Sequence, residues 1–239
     1  MDFLPAFLAP IMTAVFWTAL MKIIGINIVL SGDNAVVIAL AARGLPPDQQ
    51  KKAIFWGSGA AIAMRILLTI FAVKLLELPW LKIIGALLLL WIGIQLLIPE
   101  DDDGDSITGH EHLGAAIKTI LIADLVMSVD NVIGVAAAAK GDILLLTLGL
   151  AISIPLIIYA STMLIKVMER FPIVITIGAA LIGWVAGEMI WEEQVIKAFT
   201  SQFPIWFEYL AAAVGALVVI VVGKTMAKRV DTHNVAAPG

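Results

Sequence analysis

The chain has 239 residues, 61% of them hydrophobic and 14% charged, with no cysteine, and a mean hydropathy of +1.02. Soluble domains average roughly 45–50% apolar and 25% charged residues, so an ordinary water-soluble fold is excluded, as are disulfides and thiolate metal sites. A formal net charge of −4 carries no nucleic-acid signal, and the partner that the composition implies is the lipid bilayer.

A bilayer core of roughly 30 Å takes about 20 apolar residues per helix. Seven segments meet that length, near residues 14–41, 53–76, 80–98, 113–139, 142–166, 171–191 and 207–227. The first does not read as a cleavable signal: it is preceded by Asp2, lacks a basic flank and contains Asp33. The breaks between segments carry turn chemistry at Gly44-Leu45-Pro46-Pro47, Leu78-Pro79, Pro99, Gly141-Asp142, Phe171-Pro172 and Phe203-Pro204. Buried helices of a soluble protein do not fit, because helices apolar on nearly every face leave no polar shell.

Taken in order, segment one holds Asn27, Ser31, Asp33 and Asn34, and segment two holds Arg65 near its middle. Segment three ends on Trp91 and Gln95, and an acidic loop follows, Glu100 to Asp105, then His110-Glu111-His112. The loop fails the EF-hand pattern, since Gly104 would need an acid where Pro99 stands; it reads as solvated. Segment four holds Asp124, Ser128, Asp130 and Asn131, and segment six holds Trp184 and Glu188.

Two of these groups are copies. Ser31-Gly32-Asp33-Asn34 matches Ser128-Val129-Asp130-Asn131 at an offset of 97 residues, which also sets Asn27 on Asp124, Arg43 on Lys140 and Gly44 on Gly141. Gly85, Trp91 and Gln95 match Gly178, Trp184 and Glu188 at an offset of 93. Segments one to three thus repeat as four to six. Three is odd, so the second copy enters from the opposite side, which makes an inverted repeat with a binding site expected near mid-membrane. The expected fold is an all-α membrane protein of about seven transmembrane helices in one domain, residues 1–239: repeat one about 14–98, an acidic loop 99–112, repeat two about 113–191, and a seventh helix about 207–227. With the N-terminus outside, nine Lys and Arg fall in inner loops against four in outer loops. That favours an N-terminus outside and a C-terminus in the cytoplasm, as a multi-pass protein of the inner membrane.

An ionisable group in hydrocarbon is costly and marks function, and here it occurs twice in register. Asp33, Asp124 and Asp130 supply carboxylates, Asn27, Asn34 and Asn131 amide oxygens, and Ser31 and Ser128 hydroxyls; Glu188 adds a carboxylate if segment six faces the same space. Hard oxygen donors in that number suit a divalent cation such as Mn²⁺, Mg²⁺ or Ca²⁺. Carboxylates gathered in low dielectric cannot all stay ionised without a compensating charge, so cation binding is expected to displace protons. Arg65 has two readings, ion-pair partner of Asp124 or transport residue. Serine and asparagine also have the plainer role of hydrogen-bond glue between helices, and the alanines after each Asp-Asn pair allow close helix approach.

The motifs Gly32-Asp33-Asn34-Ala35-Val36-Val37-Ile38-Ala39 and Asp124-Leu125-Val126-Met127-Ser128-Val129-Asp130-Asn131-Val132, set in seven segments, resemble the TerC family of integral membrane proteins, in particular its short YjbE/YkoY-type bacterial members. The resemblance covers roughly residues 14–225. It implies a transporter related to the lysine-exporter superfamily, with Mn²⁺ efflux as its function. It marks Asp33, Asn34, Asp124, Asp130 and Asn131 as metal-handling positions. Asn27, Ser31, Ser128, Glu188 and Arg65 stand beside them as candidate metal or proton-relay residues. No permanently bound cofactor is expected; Mn²⁺ is the substrate.

Two other readings compete. A membrane partner in tellurite or stress resistance, without transport, would tolerate Asp33→Asn. An intramembrane aspartyl protease would use Asp33 and Asp130 as a dyad, but the Gly-x-Gly-Asp sequence of such enzymes is missing from both copies and the paired asparagines would have no role. An enzyme is therefore not expected.

Overall fold

The computed structural model describes residues 13–30, 32–76, 78–98, 109–139 and 143–236; Ser31 and the side chains of Asn27, Asp130 and Asn131 lie outside the described residues. Its elements are α1 (Ala14–Leu30), α2 (Gly32–Ala42), α3 (Pro47–Leu76), α4 (Leu81–Gln95), α5 (Gly109–Ala139), α6 (Ile143–Arg170), α7 (Ile173–Trp191), α8 (Gln194–Thr200) and α9 (Trp206–Ala236). Among the described residues there is no strand.

Each of the seven apolar segments is helical. Four spans are long and apolar enough to cross a membrane, His112–Val129, Thr147–Arg170, Ile173–Trp191 and Trp206–Val230, and three apolar helices are shorter, Phe16–Ile26, Gly32–Ala42 and Leu81–Gln95. Several helices run past their apolar stretches. Thus α5 starts at Gly109, which takes His110 to His112 out of the expected loop and into its first turns. The seven-residue α8 between α7 and α9 was not anticipated.

The packing is reciprocal between the halves. Helix α3 lies along α5, while α6 lies along α1 and α2. A Cβ at Gly57 on α3 would press on Ile120 of α5, and one at Gly149 on α6 would press on Ile23 of α1. The same contact thus occurs twice, at offsets of 92 and 97 residues. Helices α4 and α7 run antiparallel: Lys82 meets Glu192, Gly85 faces Met189 and Gly93 faces Ile182.

Helix α9 packs on α7 through small residues. Cβ atoms at Gly183 and Gly187 would strike the backbone of Gly215 and of Ala211 and Ala212. Such small-residue faces let membrane helices approach closely enough for dispersion contacts to hold them. One buried cluster runs through the bundle and includes Ile23, Val37, Leu40, Ile54, Leu89, Ile120, Leu150, Ile157 and Ile182. The outer faces of α7 and α9 stay apolar and exposed, at Ile177, Leu181, Val214, Leu217 and Val221, as a surface solvated by lipid tails must be.

Two charged contacts fix α4 at its ends. Glu193, 2% exposed, accepts hydrogen bonds from the amides of Lys82 (2.9 Å) and Ile83 (3.4 Å). These first-turn donors have no partner within the helix, and a carboxylate there also complements the helix dipole. At the other end, Arg43 donates from Nη2 to the carbonyl of Leu96 at 2.9 Å, a cation where the helix dipole is negative.

Candidate functional site

The polar groups gather where α2, α3 and α5 meet. Asp33 sits in the first turn of α2. Its Oδ1 accepts a hydrogen bond from the Asn34 amide at 2.8 Å, which is how a carboxylate serves the unpaired amides of a starting helix. Asp33 is half-buried, Asn34 is buried, and a Cβ at Gly32 beside them would meet nothing within 4 Å. The residue before the carboxylate is thus exposed and open, while the residue after it is packed.

Across from α2, the first half of the α5 motif forms a closed polar triangle with α3. Arg65 Nη2 pairs with Asp124 Oδ1 at 2.5 Å. Arg65 Nε donates to Ser128 Oγ at 2.9 Å, and Ser128 Oγ donates to Asp124 Oδ2 at 3.1 Å. Asp124 and Ser128 are one turn apart on α5, so they share a face. Arg65 is 1% exposed, Ser128 0% and Asp124 7%. A guanidinium buried to that degree needs a carboxylate and further acceptors to remain charged, and the triangle supplies both. Arg65 and Asp124 thus form an ion pair. Arg65 and Asp124 both lie within electrostatic reach of Asp33.

Glu188 on α7 accepts a hydrogen bond from Trp184 Nε1 at 2.7 Å. It is half-buried, and Asp33, Glu192 and Glu208 lie within its electrostatic reach. Segment six thus brings a carboxylate toward the same region. Helix α5 continues without a break through Val129, Asp130 and Asn131; the side chains of Asp130 and Asn131, like that of Asn27 and the whole of Ser31, lie outside the described residues. Among the described residues no group of three or more His, Asp or Glu side chains forms a metal cage.

A cavity of about 280 Å³ opens between the end of α2, the end of α4 and the start of α5, with Leu45, Trp91, Gln95, His112 and Thr119 on its wall. Thr119 lies five residues before Asp124 on the same helix, about 7.5 Å along the axis. The cavity thus approaches the triangle without including it. Sequence reasoning missed Glu193, Trp184 as the donor to Glu188, and His112 as a cavity wall. The first could not be found without knowing that α4 and α7 run antiparallel; the second was legible as a spacing of four residues.

Comparison with known proteins agrees with this architecture. The family described as integral membrane protein TerC family matches residues 12–231. The membrane protein YjbE of Bacillus subtilis is 45% identical over 184 residues, covering 77% of this chain and 84% of YjbE. YkoY of the same organism is 26% identical over 186 residues, 70% of this chain and 57% of YkoY. The UPF0053 inner membrane protein YoaE of Escherichia coli is 27% identical over 232 residues, 89% of this chain and 43% of YoaE. No solved structure matches. With its apolar helices, its two Asp-Asn motifs and a match that runs nearly end to end, the chain belongs to the TerC family of integral membrane proteins.

Proposed function

We propose that the protein exports a divalent cation, with Mn²⁺ as its cargo, from the cytoplasm across the bacterial inner membrane in exchange for protons. The observation that carries this reading is Asp33, a half-buried carboxylate at the start of α2, beside open space and facing a helix that bears the matching Asp130. A carboxylate left in that position is a functional group rather than a packing group. Asp33 and Asp130 meet the two charges of the ion, and Asn34 and Asn131 add neutral oxygens. The cavity beside Gln95, His112 and Thr119 is the approach from the cytoplasm, and Glu188 stands on the route by which protons return.

In this reading α1 and α2 together make one span, which with α3 and α4 forms a three-span repeat inverted relative to α5, α6 and α7, and α9 is the seventh span. The reciprocal crossings, the twice-made glycine–isoleucine contact and the antiparallel α4–α7 pair support it. The count of Lys and Arg supports an N-terminus outside and a C-terminus in the cytoplasm. The choice of Mn²⁺ follows the family resemblance.

The test is cellular. Cells lacking their own manganese exporters receive wild type, Asp33→Asn or Asp130→Asn, and Mn²⁺ tolerance and cell-associated manganese are measured. Wild type raises tolerance and lowers cell manganese, while both variants reach the membrane in equal amount and do neither. Equal tolerance in all three removes the reading in favour of a membrane partner without transport.

A further inference from the structure

We infer that Arg65 sets the charge of the cation site by holding Asp124 in a neutral pair, which leaves Asp33 and Asp130 to balance one divalent ion. The inference rests on the transport reading above and deepens it: Asp124 becomes a positioning residue rather than a ligand.

The first support is geometric. Both oxygens of Asp124 are engaged, Oδ1 by Arg65 Nη2 and Oδ2 by the Ser128 hydroxyl, and Arg65 Nε donates to Ser128 Oγ. The three side chains are at least nine-tenths buried. A carboxylate committed in this way has little left to offer an incoming ion.

The second support comes from the other half of the molecule. The offset of 97 sets Asp124 against Asn27 and Ser128 against Ser31, and the offset of 92, which sets Gly57 against Gly149, sets Arg65 against Ile157. Where one half has an acid it also has an arginine; where the other has a neutral amide it has an isoleucine, itself buried. The extra acid and the extra base occur together or not at all, so the pair adds no net charge to what the two Asp-Asn copies already carry.

The third support is proximity. The pair lies within electrostatic reach of Asp33, so any imbalance in it is felt where the ion would sit. A transport site has to bind its ion well enough to strip water and weakly enough to let it go. An uncompensated third carboxylate would deepen the trap, and an uncompensated arginine would repel the ion.

The experiment uses the full chain purified in detergent, with MnCl₂ alone as the probe, titrated calorimetrically, and thermal melting in parallel. The variants are Arg65→Ile, Asp124→Asn, the double Arg65→Ile/Asp124→Asn, which copies the other half, and Arg65→Lys, which keeps the charge. Arg65→Ile is expected to tighten Mn²⁺ binding about threefold or more and Asp124→Asn to weaken it about tenfold; the double and Arg65→Lys return to within about threefold of wild type. Both neutralising single variants melt earlier than wild type, and the double recovers. If Asp124 is a ligand, the double stays as weak as Asp124→Asn; if the pair is only a strut, the two single variants shift affinity in the same direction or not at all. Either result overturns the inference while the transport reading stands. Should the single variants fail to fold, the double still overturns the inference if it binds Mn²⁺ about tenfold more weakly than wild type. A folded wild type that binds no divalent cation overturns the transport reading and this inference with it.

Discussion

Helix α3 crosses α5, and α6 crosses α1 and α2. The two crossings share a glycine on an isoleucine and then diverge. The α3–α5 crossing goes on to a buried arginine, aspartate and serine that bond one another. The α6 crossing goes on to Ser153, whose hydroxyl bonds the carbonyl of Gly149 four residues back, then Pro155 inside the helix, then the buried Ile157. One crossing joins two helices by charge; at the other, the Ser153 hydroxyl bonds within its own helix and Gly149 and Ile157 pack as buried residues.

This difference can be broken on purpose. The largest effect is expected from unpairing the charged crossing. Arg65→Ile leaves Asp124 buried without its cation and lowers stability by about 3–5 kcal/mol, whereas Ile157→Val, a methylene lost in the neutral crossing, costs about 0.5–1.5 kcal/mol. Thermal melting of the two variants in the same detergent checks the ranking, and equal losses would mean that the ion pair is more exposed than its burial shows. The shared contact gives the next test. Gly57→Leu and Gly149→Leu both force a side chain into an isoleucine, and each is expected to cost about 1–3 kcal/mol. Similar melting shifts would sharpen the symmetry of the halves; an undisturbed Gly149→Leu would break it. The smallest effect is expected at the α4–α7 junction. Glu193→Gln keeps an acceptor for the amides of Lys82 and Ile83 but loses the charge, and costs about 0.3–1 kcal/mol, read as a small shift in melting temperature.

Much of the helical layout was legible from apolar length alone, because a bilayer demands it. The apolar segments are helical, the first of them as two helices, α1 and α2, and the ends slipped where polar residues continued the turn, as at Gly109 and beyond Lys224. Helix α8 escaped notice because seven residues bounded by Glu193 and Ser201 are too few to show a period. The Arg65–Asp124 pair was legible as one of two readings, since a lone arginine amid apolar residues needs a nearby acid. The carboxylate of Glu193 was not legible: its partners are 110 and 111 residues away, and only the antiparallel course of α4 and α7 brings them together. Gly183 and Gly187 were within reach as a small-residue face, but the alanine runs drew that reading instead. Asp33 lies in the first turn of α2, and the side chain of its match, Asp130, lies outside the described residues.

The carboxylate of Glu193 has a consequence for movement. It belongs to the end of α7 yet holds the first amides of α4, and Lys82 grips Glu192 beside it at 2.8 Å. This staple joins the two halves at one rim of the bundle, while the far rim, where the cavity by His112 opens, carries Arg43 on Leu96 within a single half. Any parting of the two groups of helices would then be least at the stapled rim and greatest at the rim that holds the cavity.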